Sequence, residues 1–169
     1  MARDHARLRI DMWNDEDYRR LTMPAQWLYE HLLTSVTLSF AGVADWRPAR
    51  IAAHARLLDA ATVDLAGDEL EEGRFILRDV ETEEVLIRSF AKHDGILASL
   101  NISKAMARDY ALIASLTLRA VLVGQLLDYR EAMPEVSGWG ALADILERDS
   151  MTFEEGVLET SRRGSGNTS

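Results

Sequence analysis

Residues 74–80 and 84–90 are two short runs rich in β-branched and aromatic residues, and they flank a charged turn at Thr82-Glu83. Two such runs around a short polar turn predict a β-hairpin. With the turn centred there, we expect Phe75 to pair with Phe90 and Val80 with Val85. The fold must therefore place a two-stranded unit among segments that otherwise have helical periodicity.

Helical signals precede the hairpin. Asn14 is placed to cap a short helix over 15–21, and a second helix begins at Thr22 or Met23, just before Pro24. Along this second helix a set of side chains recurs at helical spacing, which predicts a face directed toward the core. The set comprises Trp27, Leu28, His31, Leu32 and Val36.

A short strand is predicted to end near Trp46, because the segment 38–46 is too short and too interrupted for a helix. Pro48 then opens a helix that extends to Ala55. Asp59 caps another helix that runs to Glu72. We expect a left-handed residue at the end of that helix, at Gly73.

The resulting order is helix, strand, helix, helix, hairpin, which is the arrangement of a winged helix-turn-helix. We therefore predict a mostly α fold with a small β-hairpin (α+β), in which residues 8–95 form a winged-helix domain. Residues 96–160 follow as a C-terminal helical extension, and residues 161–169 have the composition of a disordered tail.

Within this extension we expect one helix from a cap at Asn101 or Ser103 to Ile113, a second from Ser115 to Met133 and short helices over 141–148 and after Thr152. The helix 115–133 is apolar on more than one side, so it needs cover from the first domain or from a second copy of the chain. The sequence therefore leaves two predictions for this helix: it packs against the first domain, or it forms a homodimer through residues 115–133.

Composition excludes several classes of function. The chain has no cysteine, which removes disulfides, thiolate metal sites and cysteine nucleophiles and suits a reducing cytoplasm. Its longest apolar stretch, 116–127, is too short and too polar to cross a bilayer, and the N-terminal residues lack the apolar run of a signal peptide. We therefore expect a cytoplasmic protein without membrane contact.

Catalytic and cofactor motifs are missing as well. The four histidines have no metal-ligand spacing, and the sequence contains no phosphate-binding glycine loop and no nucleophile elbow. Acidic runs at helix starts and in the hairpin turn are typical of solvated faces. The sequence therefore predicts no enzyme, no metal and no cofactor.

Basic residues gather around the predicted helix that begins at Pro48 and along and after the hairpin, despite a net charge of −9. If the fold brings them to one side, they form a surface for the DNA backbone. The candidate DNA-binding residues are Arg47, Arg50, His54, Arg56, Thr62, Arg78, Arg88, Lys92, His93 and Lys104. Carboxylates along 64–72 and at 81–84 would repel phosphate, so only the N-terminal end of helix 59–72 is expected to approach DNA, unless the fold meets a protein instead.

Three segments resemble the N-terminal domain of phage replisome organisers and DnaD-type replication initiators: IDMWND from residue 10, LTMPAQWLY from 21 and GVADWRPARI from 42. The hairpin and the FAKHD at its close resemble the same domain. Later residues, namely KHDG from 92, NISKAM from 101, Leu118-Arg119, Pro134 and Gly138-Trp139, look like actinobacterial phage proteins described as helix-turn-helix DNA-binding. The resemblance covers roughly residues 8–148.

This resemblance implies a winged helix with a role in phage replication initiation or gene regulation, inside a bacterial host cell. The expected partner is double-stranded DNA, with a host or phage replication protein as a further partner. The alternative is a winged-helix protein-interaction module whose acidic face binds a basic host or replisome protein.

Overall fold

The computed structural model describes residue 8 and residues 10–88, 90–93 and 95–165, with the side chains of His93 and Ser165 left out. A 3₁₀ turn over Ile10–Asn14 leads into helix α1, Glu16–Arg20. Asp15, and not the predicted Asn14, caps α1, because its carboxylate accepts from the backbone N–H groups of Asp17 and Tyr18. Helix α2 follows over Met23–Leu33.

Strand β1 spans Val43–Asp45 and is followed by helix α3, Pro48–Ala52, and helix α4, Ala60–Glu72. Strands β2, Ile76–Asp79, and β3, Glu84–Ile87, complete the first half. The predicted order of helix, strand, helix, helix and hairpin is thus confirmed, as is the Asp59 cap of α4. Helix α3 ends at Ala52 instead of the predicted Ala55.

Within the described residues the strands form one antiparallel sheet in the order β1-β3-β2. Ile76 lies opposite Ile87, and Asp79 lies opposite Glu84. The predicted pairing of Phe75 with Phe90 and Val80 with Val85 is wrong, because residues 80–83 all belong to the turn and Glu83 adopts a φ of 53°. Phe90 instead begins a short helix, α5, over Phe90–His93.

The left-handed residue after α4 is Arg74, with a φ of 61°, and not the predicted Gly73, whose φ is −73°. The side chain of Phe75 lies close to Gly73, where an added Cβ would stand 2.9 Å from the ring. Gly73 is therefore needed for close packing, and the reversal of the chain occurs one residue later.

The second half is helical: α6 spans Leu100–Leu112, α7 spans Leu116–Ala132, and a 3₁₀ turn over Ser137–Leu142 leads into α8, Ala143–Leu146. Helix α9 covers Phe153–Ser165. The cap of α6 is Ser99, two residues before the predicted Asn101, whereas Ser115 caps α7 as predicted. Residues 161–165 are the last turn of α9 and not a tail, and residues 166–169 lie outside the described part.

Both halves contribute to one continuous core, which includes Tyr18 and Leu28 from the first half and Leu122 and Phe153 from the second. Helix α7 is the centre of the second half and contacts β2, β3, α8 and α9. Its apolar residues Leu118, Val121, Leu122, Val123 and Leu126 are buried by the chain itself. Most of the face on which the predicted homodimer through helix 115–133 depended is therefore covered, although Leu116 at its start is 70% exposed.

The hairpin is joined to the start of α7 by polar contacts. The carboxylate of Glu84 accepts from the backbone N–H groups of Ala114 and Ser115 at 2.9 and 2.8 Å. These N–H groups lie at the beginning of a helix, where they lack a partner within the helix. The hairpin thus supplies part of the cap of a helix that begins some thirty residues later. Among the described helices, none has the length and apolar character needed to cross a membrane.

Candidate nucleic-acid interface

Arg50, His54 and Arg56 lie on α3 and in the turn between α3 and α4, and all three are exposed. Among the described residues neither arginine has an ion-pair partner. In this turn the chain changes direction at Leu57, which adopts a φ of 67° and is 97% exposed. Three of the predicted DNA contacts are therefore neighbours at the N-terminal end of α4.

Thr62 lies in the first turn of α4, but its backbone N–H is already occupied. It donates to Oδ1 of Asp59 at 2.8 Å. Hydrogen bonds from Thr62, first from its side chain and then from its backbone, lower the pKa of Asp59 below its ordinary value. The carboxylate of Asp59 thus occupies the N-terminus of α4, where a phosphate group could otherwise bind. Thr62 is therefore poorly placed to contact a phosphate.

A stack of aromatic rings joins α2 to the residues after α3. The rings of Trp27 and His31 stack with centroids 5.0 Å apart and an angle of 14°, and the ring of His54 lies 5.0 Å beyond His31. Burial, and then His54, lower the pKa of His31 below its usual value. Trp27 and His31 are half-buried, while Val36, predicted to share their inward face, is 97% exposed beyond the end of α2.

Sequence reasoning assigned Trp27 and His31 to the core and His54 to DNA, and it did not connect them. The i, i+4 spacing of Trp27 and His31 is a signal that they share a helix face. Nothing in the sequence indicates that His54, more than twenty residues later, packs on the same rings.

Arg47, the residue before α3, is tied to the hairpin turn. Its Nε lies 3.1 Å from a carboxylate oxygen of Glu83 and 4.0 Å from one of Asp45. The side chain is half-exposed, so water screens these ion pairs and weakens their hold. A phosphate would have to compete with two carboxylates at this position.

The prediction that Arg78 contacts DNA is wrong, because its side chain is buried. Only 8% of the residue is exposed, and its guanidinium donates to Asp68 at 2.6 Å and to Glu71 at 2.8 Å. The guanidinium carbon also lies 5.1 Å from the ring centroid of Trp46. Arg78 therefore joins β2 to α4 and does not reach solvent, because a buried cation requires these partners.

Arg88 and Lys92 are exposed, but they lie at the other end of the sheet from Arg47. Arg47 contacts Glu83, which precedes β3, and Arg88 follows β3, so about 16 Å of extended chain separates the two positions. Arg88 stands over the ring of Phe153 at 5.6 Å, and Lys92 over that of Tyr129 at 5.9 Å.

The remaining predicted contacts lie further away or outside the described part. Lys104 is exposed on α6, in the second half of the chain. The side chain of His93 and the whole of Asp94 lie outside the described residues. The ten predicted residues therefore do not form one continuous basic face, and the group assembled around α3 is Arg50, His54 and Arg56.

Several acidic residues that sequence reasoning placed in solvent have partners inside the fold. The carboxylate of Glu69 accepts from the backbone N–H and hydroxyl of Thr22 at 2.7 and 2.6 Å. Glu71 binds Arg78, and Glu84 binds the start of α7. The outer side of α4 nevertheless remains acidic, since Asp64, Asp68 and Glu72 are exposed there.

No group of three or more histidine, cysteine or carboxylate side chains among the described residues is arranged to hold a metal ion. Comparison with known proteins gives no match to this chain, whether among protein-family models, curated proteins or solved structures.

Proposed function

We propose that the protein is a non-enzymatic winged-helix DNA-binding protein of phage type, acting in replication initiation or gene regulation. The observation that carries this proposal is the group of exposed side chains Arg50, His54 and Arg56, which contains two guanidinium groups, on α3 and the turn before α4. The α–β–α–α–β–β order of the first half supports the assignment of a winged helix. The resemblance to phage replisome organisers supports the role in replication.

In this proposal DNA is contacted by α3 and the α3–α4 turn, and not by the outer side of α4. Arginine side chains without carboxylate partners bind phosphate oxygens, and each phosphate that they neutralise releases a counterion. The exposed carboxylates of Asp64, Asp68 and Glu72 keep the middle of α4 away from the duplex. Binding through so few cations is expected to be weak, and its salt dependence is expected to be shallow, because the slope scales with the number of phosphates neutralised.

The test is a fluorescence titration of labelled duplex DNA, taken from the region around the gene, at several salt concentrations. We expect a linear fall of log affinity with log salt, with a slope of about −0.9 for each phosphate neutralised. Arg50→Ala and Arg56→Ala should each weaken binding and reduce the slope by about one.

Arg19→Ala is the matched control. Arg19 is an exposed arginine on α1, close to Thr22 and thus to the C-terminal half of α4 that Thr22 contacts. Its substitution should leave both the affinity and the slope unchanged. Absence of binding at low salt, or an equal loss in the Arg19 and Arg50 variants, would overturn the proposal.

A further inference from the structure

The outer side of α4 carries a stripe of exposed residues that the proposed DNA contact does not use. Ala61, Leu65, Asp68 and Glu72 recur at helical spacing and are all exposed, with Asp64 beside them. We call these five residues the α4 outer face. Leu65 lies at its centre and is 69% exposed, so a large apolar side chain stands among the carboxylates of this face.

A second exposed apolar side chain borders this face. The two hydrogen bonds from Thr22 to Glu69 hold the start of α2 against the C-terminal half of α4. The next residue, Met23, is 79% exposed. Met23 follows Thr22 directly and Leu65 lies one helical turn before Glu69, so both exposed side chains are next to residues that join α2 to α4.

The charge around these apolar residues has one sign. Helix α4 contains the carboxylates of Asp64, Asp68, Glu69, Glu71 and Glu72 and no basic residue. The buried guanidinium of Arg78 on β2 neutralises one of these charges through its ion pairs with Asp68 and Glu71. Helix α4 and Arg78 together therefore have a net charge of −4, which follows from five carboxylates and one guanidinium.

We propose that the α4 outer face, together with Met23, binds a basic amphipathic helix of another protein. In this recognition mode an amphipathic helix places its apolar residues in a groove, and flanking charges fix its orientation. Leucine or a similar residue of the partner packs on Leu65 and Met23, and lysine or arginine residues lie beside Asp64, Asp68 and Glu72.

Charge complementarity selects this occupant over the others. DNA is repelled by the same carboxylates that would attract a basic helix. A second copy of the chain is also disfavoured, because a two-fold contact would place this acidic face against itself. The proposal concerns a different surface from the α3 contact with DNA and does not depend on it.

The probe for the test is a fluorescein-labelled synthetic peptide of leucine and lysine, about 18 residues long and designed as an amphipathic helix. Two peptides serve as references, one with glutamate in place of lysine and one with serine in place of leucine. We expect the intact protein to raise the anisotropy of the leucine–lysine peptide at moderate salt and to bind both references much more weakly.

Protein variants then locate the contact. Leu65→Ala should weaken binding about fivefold or more, as for a central apolar contact. The double variant Asp64→Asn, Glu72→Gln should weaken it and flatten its salt dependence. Leu158→Ala is the matched control, because Leu158 is a similarly exposed leucine, 59%, on helix α9, where three glutamates are nearly balanced by two arginines, and its loss should have no effect.

Failure to bind the leucine–lysine peptide, or equal effects of Leu65→Ala and Leu158→Ala, would overturn the proposal. The same variants are to be titrated with duplex DNA, where Leu65→Ala should behave as the unsubstituted protein. Peptide binding that depends on Leu65 without any DNA binding would overturn only the proposed function. DNA binding without binding of the leucine–lysine peptide would overturn only the proposed docking of a helix.

Discussion

The hydroxyl of Ser115 donates a hydrogen bond to Oδ2 of Asp79 at 2.6 Å and so joins the start of α7 to the end of β2. Both residues are almost completely buried, at 1% and 2% exposure. The same hydroxyl accepts from the backbone N–H of Leu118 at 3.1 Å, which makes Ser115 the N-cap of α7. One side chain therefore caps a helix and also supplies one of the donors to a buried carboxylate, which pairs with Arg163 as well.

Replacement of Ser115 by alanine should destabilise the protein by about 2–4 kcal/mol. Loss of an N-cap contributes about 1 kcal/mol, and a buried carboxylate left short of a donor adds about 1–3 kcal/mol. Thr152→Ala is the control, because Thr152 caps α9 in an exposed capping box with Glu155 and should cost only about 1 kcal/mol. Urea unfolding measures both, and equal losses would contradict a role for Ser115 beyond capping.

Substitution of the buried guanidinium of Arg78 should be more damaging than substitution of an exposed one. In Arg78→Met the free energy of unfolding should fall by about 3–5 kcal/mol, because Glu71 and Asp68 lose the cation that compensates them. Arg47→Met breaks ion pairs of half-exposed side chains and should cost at most about 1 kcal/mol. A small loss in the Arg78 variant would show that the cluster is hydrated in solution.

Two glycines should respond to alanine in opposite directions. A Cβ at Gly138 would stand 2.5 Å from the carbonyl oxygen of Leu97 and would also meet the Ser103 hydroxyl, so Gly138→Ala should cost about 1–3 kcal/mol. At Gly164, in the last turn of α9, nothing among the described residues lies within 4 Å of the added Cβ. Gly164→Ala should therefore stabilise the protein by about 0.5 kcal/mol in thermal unfolding, through the entropy of the unfolded chain.

Stability should decrease as the pH is lowered through about 6.5, the ordinary pKa of histidine. Burial, and then His54, lower the pKa of His31 in the folded protein. At pH values between the lowered pKa of the folded protein and the ordinary pKa, the unfolded chain binds more protons than the folded protein. The free energy of unfolding therefore rises with pH across this range. Below the pKa of the folded protein, His31 contributes no further pH dependence.

His31→Gln removes the titrating group and should flatten this part of the stability–pH profile. His54→Gln should only reduce the slope, because burial is the larger cause of the shift. Urea unfolding between about pH 5 and pH 8 measures both variants. An unchanged profile in His31→Gln would assign the pH dependence to other groups.

Features that depend on a few neighbouring residues could be predicted from the sequence. The caps at Asp59, Ser115 and Thr152 each involve a side chain and a backbone N–H within one helical turn. For α6 the segment offers Ser99, Asn101 and Ser103 within five residues, and sequence alone does not rank them. Ser99 caps the helix because Ser103 is buried and donates its hydroxyl to the carbonyl of Ile96.

Features that depend on distant contacts could not be predicted. The periodicity that marked the hairpin does not indicate that Arg78 faces the carboxylates of α4, since a lone arginine in a strand is more often exposed. The cap that Glu84 provides to α7 also joins residues some thirty positions apart. For the same reason a cluster of cations in the sequence did not become one basic face, because the length of β3 separates Arg47 from Arg88.

Glu71 occupies one of the two edges of the sheet, the edge formed by β2. In the order β1-β3-β2, the strand β2 has no partner on one side among the described residues, and such a strand offers unpaired backbone groups to any extended segment of another molecule. Oε1 of Glu71 accepts the backbone N–H of Arg78 at 2.7 Å, so the donor in the middle of that edge is already taken, by a charged side chain of the same molecule. Addition of another strand at this edge would require this bond to break, so the carboxylate of Glu71 opposes aggregation through the β2 edge.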